Sequence, residues 1–122
     1  MGSHPLNLAL RFLLELVALF GLGAWGWYAT DSAGRFLLVL GVPLLAAAAW
    51  SAFAVPDDPS RSGRAPVAVP GWVRLALEIL VLGGGALALH HAGFERAGLV
   101  FAVLAGLHYA ISYDRIAWLL RR

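Results

Sequence analysis

Apolar residues run along this chain in four long blocks, at 6–28, 34–55, 71–92 and 96–120, separated by three stretches where polar residues and proline gather. A helix rises ~1.5 Å per residue and needs roughly 20 residues to cross a hydrocarbon core, so each block is long enough to span a bilayer. The pattern predicts an all-α fold, an integral membrane four-helix bundle that fills the whole chain as one transmembrane domain. The first block is expected to be a retained helix and not a cleaved leader. It carries Glu15 inside the apolar run, has no basic region ahead of it apart from Arg11, and lacks a small-x-small site before Asp31.

The separators set the connectivity. Residues 30–33 and 90–95 are short links, which make antiparallel neighbours of the helices they join and give two hairpins. Residues 56–70 hold four of the six prolines, a density that keeps the segment extended and out of either flanking helix. Arginines then orient the chain. Arg11, Arg61, Arg64, Arg74, Arg115, Arg121 and Arg122 fall on the side of the termini and the proline-rich linker, against Arg35 and Arg96 opposite. The positive-inside bias predicts that both termini are cytoplasmic. Trp25 and Trp27 mark one interface, and Trp50, Trp72 and Trp118 the other, as an aromatic belt does.

Composition narrows the setting. The chain is 61% hydrophobic and 13% charged, with a mean hydropathy of +0.78. Soluble domains carry about a quarter charged residues, so an ordinary water-facing surface is excluded and the lipid bilayer is the first partner. The absence of cysteine removes disulfides, thiolate chemistry and Cys-ligated metals. All basic residues are arginine, and with the Ala, Gly and Leu richness this points to a GC-rich bacterial genome and a multi-pass protein of the cytoplasmic (inner) membrane. The pI near 9.7 does not indicate a nucleic-acid partner, because the net charge is only +2 and the arginines lie scattered between apolar runs. Met1-Gly2-Ser3-His4 resembles a cloning remnant, and no role is assigned to His4.

The chain also resembles itself. Arg11-Phe-Leu-Leu-Glu15-Leu-Val-Ala-Leu recurs 63 residues later as Arg74-Leu-Ala-Leu-Glu78-Ile-Leu-Val-Leu, and Asp31-Ser-Ala-Gly34 recurs 64 residues later as Glu95-Arg-Ala-Gly98. Two charged pairs at nearly one offset imply a duplicated hairpin, with one copy at about 6–55 and the other at about 71–120. Two spans per copy make the repeats parallel, about a pseudo-two-fold axis along the membrane normal.

Arg11 and Glu15, like Arg74 and Glu78, are four apart and share a helix face. Counting from the predicted helix starts puts Glu15 ~13 Å and Glu78 ~10 Å deep, where an ionised group costs at least ~2.5–3.5 kcal/mol and must face a partner. Pseudo-symmetry suggests crosswise pairs, Arg11 with Glu78 and Arg74 with Glu15, in competition with pairing along each helix. His108, Ser112 and Arg115 follow at i, i+4 and i+7, with Tyr113 beside them and Trp50 and Ser51 at similar depth. Together these form a candidate polar pocket in the cytoplasmic half. Gly21, Gly23, Gly83, Gly84 and Gly85 in the outer half suit close helix packing. His90-His91 are expected to be an interfacial pair, since neighbours on a helix point ~100° apart and do not readily share a metal. Pro43 is expected to kink the second helix. No cofactor or metal is implied, and no catalytic motif is present in the sequence.

Asn7-x-x-x-Arg11-Phe-Leu-Leu-Glu15, Trp25-Gly26-Trp27, Pro43 with Trp50-x-x-Phe53-x-x-Pro56, and Arg74-x-x-x-Glu78 resemble the YrdB-like family of small bacterial four-helix membrane proteins. Ser51 stands where that family often has glycine, and the likeness is weakest over the fourth helix. The resemblance implies four helices and no established activity. Three readings follow. The Arg/Glu/His cluster binds or passes a small solute, with Glu15 or Glu78 coupling to protons in a chain that is a homo-oligomer. Alternatively the pairs are interhelical glue in a non-catalytic structural or partner subunit. A haem or redox protein, resting on the histidines, is the third.

Overall fold

The computed structural model describes residues 4–58 and 65–122. Met1, Gly2 and Ser3 of the remnant, and Arg61 and Arg64 of the orientation argument, lie outside the described residues. Seven elements follow in order: α1 (Pro5–Tyr28), α2 (Gly34–Ala52), β1 (Phe53–Ala54), β2 (Val67–Ala68), α3 (Gly71–His91), α4 (Glu95–Ile111) and α5 (Tyr113–Leu120). The first three helices are each long and apolar enough to cross a membrane, and α4 with α5 passes the same test only as a pair bent by 70°. Pro43 is accommodated inside α2, which continues through it.

Two features depart from the sequence expectation. The fourth block is not one helix. It breaks at Ser112 (φ −90°, ψ 25°), whose N–H still closes on the His108 carbonyl at 2.9 Å. Its own carbonyl then accepts from Arg115 N at 2.9 Å and starts α5. The reason lies in the side chains: α5 buries only Arg115 and Leu119, while Tyr113 and Leu120 are exposed. Bending lays that narrow buried face across the start of α3. The fit is close, since a Cβ at Gly71 would lie 1.6 Å from the Leu119 carbonyl oxygen.

The second departure is a small β element in an otherwise helical chain. Phe53 and Ala54 pair in parallel with Val67 and Ala68, and Val69 N donates to Ala54 O at 2.9 Å. Pro56 cannot continue α2 and biases Val55 away from helical geometry, so the helix ends at Ala52 and not at 55. The proline-rich connection supplies the long crossover that a parallel pair needs.

Helices α1 and α3 form the central pair. Their buried positions recur every three or four residues: Asn7, Arg11, Leu14, Ala18 and Gly21 on one, Gly71, Arg74, Glu78, Val81, Leu82, Gly85 and Leu89 among those on the other. They run parallel, with Arg11 opposite Glu78 and Gly85 opposite Ala18. A Cβ at Gly85 would come 2.7 Å from Ala18 Cα, so this crossing needs a residue without a side chain. Gly83 and Gly84 face open space and contribute no such contact. Helix α2 packs on α1 at Gly23 and Gly26, yet buries none of its own residues and barely reaches α3. Helix α4 packs on α3 and, to a lesser extent, on α1. Leu14, Ala18, Val81, Leu82, Leu89 and Phe101 make the apolar core.

Candidate functional site

Glu78 lies on the α3 seam between Arg74 and Val81 and has no exposed surface. Its Oε1 accepts from Arg115 Nη1 at 2.7 Å and from the Tyr109 hydroxyl at 2.9 Å. Its Oε2 accepts from Arg115 Nη2 at 2.7 Å, Arg74 Nε at 2.8 Å and Arg11 Nη2 at 3.3 Å. One carboxylate therefore ties α1, α3, α4 and α5 together. Charge-assisted bonds of this kind are roughly twice as strong as neutral ones.

Arg74 extends the tie to α2. It is wholly buried, and its Nη1 donates to the Trp50 carbonyl and to the Phe53 carbonyl, the latter at 2.7 Å. The last carbonyls of a helix lack intrahelical donors and carry partial negative charge, so a guanidinium is well suited to them. The Trp50 ring packs beneath two cations, with Arg74 Cζ 4.8 Å and Arg11 Cζ 5.6 Å from its centroid. Arg115 Nη2 also donates to Asp58 Oδ2 at 2.8 Å, which anchors the start of the linker. A neutral layer lies alongside: Asn7 Nδ2 donates to Ser112 Oγ at 2.7 Å, and Asn7 Oδ1 is 2.9 Å from His108 Nδ1. With Arg11, Arg74 and Arg115 against Glu15, Glu78 and Asp58, the formal charges cancel.

Glu15 differs from Glu78. Its side chain is 25% exposed, and Arg11 Nε at 3.4 Å is its ion-pair partner. It lines a cleft of about 100 Å³ bounded by α1, α2 and α3, with Trp50 and Ser51 on the far wall.

Of the crosswise pairs expected from the repeat, Arg11–Glu78 is present, but Glu15 pairs with Arg11 and not with Arg74. The bend at Ser112 explains the asymmetry. It brings Arg115 onto Glu78, and among the described residues the first hairpin has no counterpart of α5. Arg11, Arg74, Glu78, His108, Ser112, Arg115 and Trp50 lie together in one cluster. Ser51 is exposed beside the cleft, and Tyr113 is 69% exposed and outside the cluster. His90 and His91 stack edge to face at 5.4 Å near the end of α3, ~18 Å along the helix from Glu78, so they do not converge with His108. Among the described residues no three His, Asp or Glu side chains are placed to hold a metal.

Three members escaped the sequence reading as site residues. Asn7 lies one turn before Arg11, and Tyr109 adjoins His108, so both carried a positional signal. Asp58 had none, because only the course of the linker brings it to Arg115.

Residues 9–105 match the family described as "Protein of unknown function (DUF2568)". That stretch includes Arg11, Glu15, Arg74 and Glu78 and stops short of His108, Tyr109 and Arg115. The chain is also similar to the uncharacterized protein YrdB of Bacillus subtilis (strain 168), at 42% identity over 116 residues, which cover 95% of this chain and 94% of that one. No solved structure matches it.

Proposed function

The chain belongs to this YrdB-like family of proteins of unknown function, and from that premise we propose that it is a non-catalytic, multi-pass protein of the bacterial cytoplasmic membrane. In this reading the Arg/Glu cluster is a structural lock, and the protein serves as a stabilising or partner subunit. Glu78 carries the argument. Its two oxygens, fully buried, already accept from three arginines and a tyrosine, which leaves no open position for a solute. A carboxylate saturated in this way holds helices together without a ligand, whereas a transport site needs at least one charge that can exchange partners; among the described residues Arg74 Nη2 is the donor of the lock that stays buried without a hydrogen-bond partner.

Two finer points belong to the same reading. The start of α1, the β pair and α5 gather at the Glu78 end together with Arg121 and Arg122, and the positive-inside bias supports a cytoplasmic location for that end. Gly21 and Gly85, 64 residues apart, meet where α1 and α3 cross in parallel, which supports a duplicated hairpin about a pseudo-two-fold axis.

The test is the melting of Glu78→Gln and Glu15→Gln in nanodiscs. Removing one partner of a buried ionic network costs ~3–5 kcal/mol, so Glu78→Gln is expected to melt far lower or fail to accumulate in the membrane, while Glu15→Gln stays near the parent. A Glu78→Gln protein as stable as the parent overturns the lock. Crosslinking in intact membranes that returns no stoichiometric partner overturns the subunit role.

A further inference from the structure

The carboxylate that the lock does not enclose is Glu15. It sits ten residues into α1, ~15 Å along the helix and within hydrocarbon. A carboxylate offers about four lone-pair sites. Its one ion-pair contact among the described residues is Arg11 Nε, at 3.4 Å, longer than a good hydrogen bond, while Arg11 Nη2 is engaged with Glu78. The remaining acceptor capacity opens onto the cleft, whose other walls include Leu19, Ala47 and Val81. About one helical turn farther along the same three helices lies a second, larger and mainly apolar cavity of about 250 Å³, lined by Leu22, Val42 and Gly84 and, at its far end, by His91. Because α2 buries nothing and barely touches α3, both open sideways to the bilayer.

We propose that this cleft is a binding site for an amphiphilic organic cation, with its ammonium on the Glu15 carboxylate and its alkyl chain directed toward the apolar cavity. The chemistry excludes the alternatives one by one. A plain hydrocarbon chain would leave the carboxylate with only the long Arg11 Nε contact, in a medium where unmet acceptor capacity is costly. An anion would meet Glu15 head-on. A lipid ammonium stays at the headgroup level, short of this depth, whereas a free amphiphile dissolved in the bilayer reaches it laterally. An ammonium supplies up to three donors and the opposite charge. The site uses a different carboxylate from the lock, so either idea can fail alone.

Octylammonium, octanol and octylsulfonate are matched probes. The full-length protein in phosphatidylglycerol nanodiscs is dialysed against each, with empty nanodiscs subtracted. Saturable binding of octylammonium at one per chain is expected, with no saturable binding of the other two. Glu15→Gln weakens it by about tenfold or more, and Glu15→Asp retains most of it. Ala47→Phe fills the cleft while leaving Glu15 in place, and it too abolishes binding. The proposal is overturned if octylammonium does not saturate, if all three probes bind alike, or if either Glu15→Gln or Ala47→Phe binds as the parent does. Loss of binding in phosphatidylethanolamine discs would assign the site to a lipid headgroup and overturn it as well.

Discussion

Arg115 presents two nitrogens to Glu78, each 2.7 Å from a different carboxylate oxygen, and in doing so pins a short amphipathic helix onto the start of one long and apolar enough to cross a membrane. The fork geometry of the guanidinium matters here, because a single ammonium cannot serve both oxygens and also reach Asp58. Arg115→Lys is therefore expected to cost ~1.5–3 kcal/mol in unfolding free energy, and Arg115→Gln more, read from denaturant titration in mixed micelles. Equal stability of Arg115→Lys and the parent would show that the charge alone suffices.

Docking of α5 has a second requirement at Gly71. A methyl group there would overlap the Leu119 carbonyl oxygen, at 1.6 Å, so α5 must lift away in Gly71→Ala. The chain has no cysteine, which makes single-cysteine labelling clean. A cysteine at the fully buried Leu119 is expected to react slowly with maleimide in the parent and many times faster in Gly71→Ala. Unchanged labelling would show that α5 stays seated.

The glycine triplet of α3 separates packing from composition. Gly85→Ala forces a Cβ to within 2.7 Å of Ala18 Cα and is expected to destabilise by ~1–3 kcal/mol. Gly84→Ala meets nothing within 4 Å, and better helix propensity makes it neutral or slightly stabilising, by up to ~1 kcal/mol. Melting temperatures of the two variants decide this, and equal effects would place the α1–α3 crossing elsewhere.

Orientation is open to direct chemistry. Asp31 and Asp57 are exposed and lie at opposite ends of the helices. In intact spheroplasts a membrane-impermeant maleimide is expected to label Asp31→Cys, and to label Asp57→Cys only after permeabilisation. The reverse pattern would invert the topology.

What could be read from residue order alone is what depends on periodicity and local chemistry. Four apolar blocks announce the helices because hydrocarbon tolerates backbone only when it is internally hydrogen-bonded. Arg11, Arg74 and Glu78 are legible as a group because they fall on the three- and four-residue spacing of Ala18 and Gly85, which makes them part of one buried seam. The family resemblance lives in the same residues. Folding in three dimensions chose the rest. The break at Ser112 follows from where α5 finds a surface to bury Arg115 and Leu119, and that surface belongs to another helix. The bend makes Glu78 the centre of the network and leaves Glu15 at its margin, although both glutamates follow an arginine by four positions in an apolar run. Asp58 joins the cluster only through its contact with Arg115, 57 residues away in the chain, close to where Phe53 and Ala54 pair with Val67 and Ala68. Spacing along a helix specifies which side chains share a face; which of them are enclosed depends on the neighbours that close over that face, and those come from distant parts of the chain.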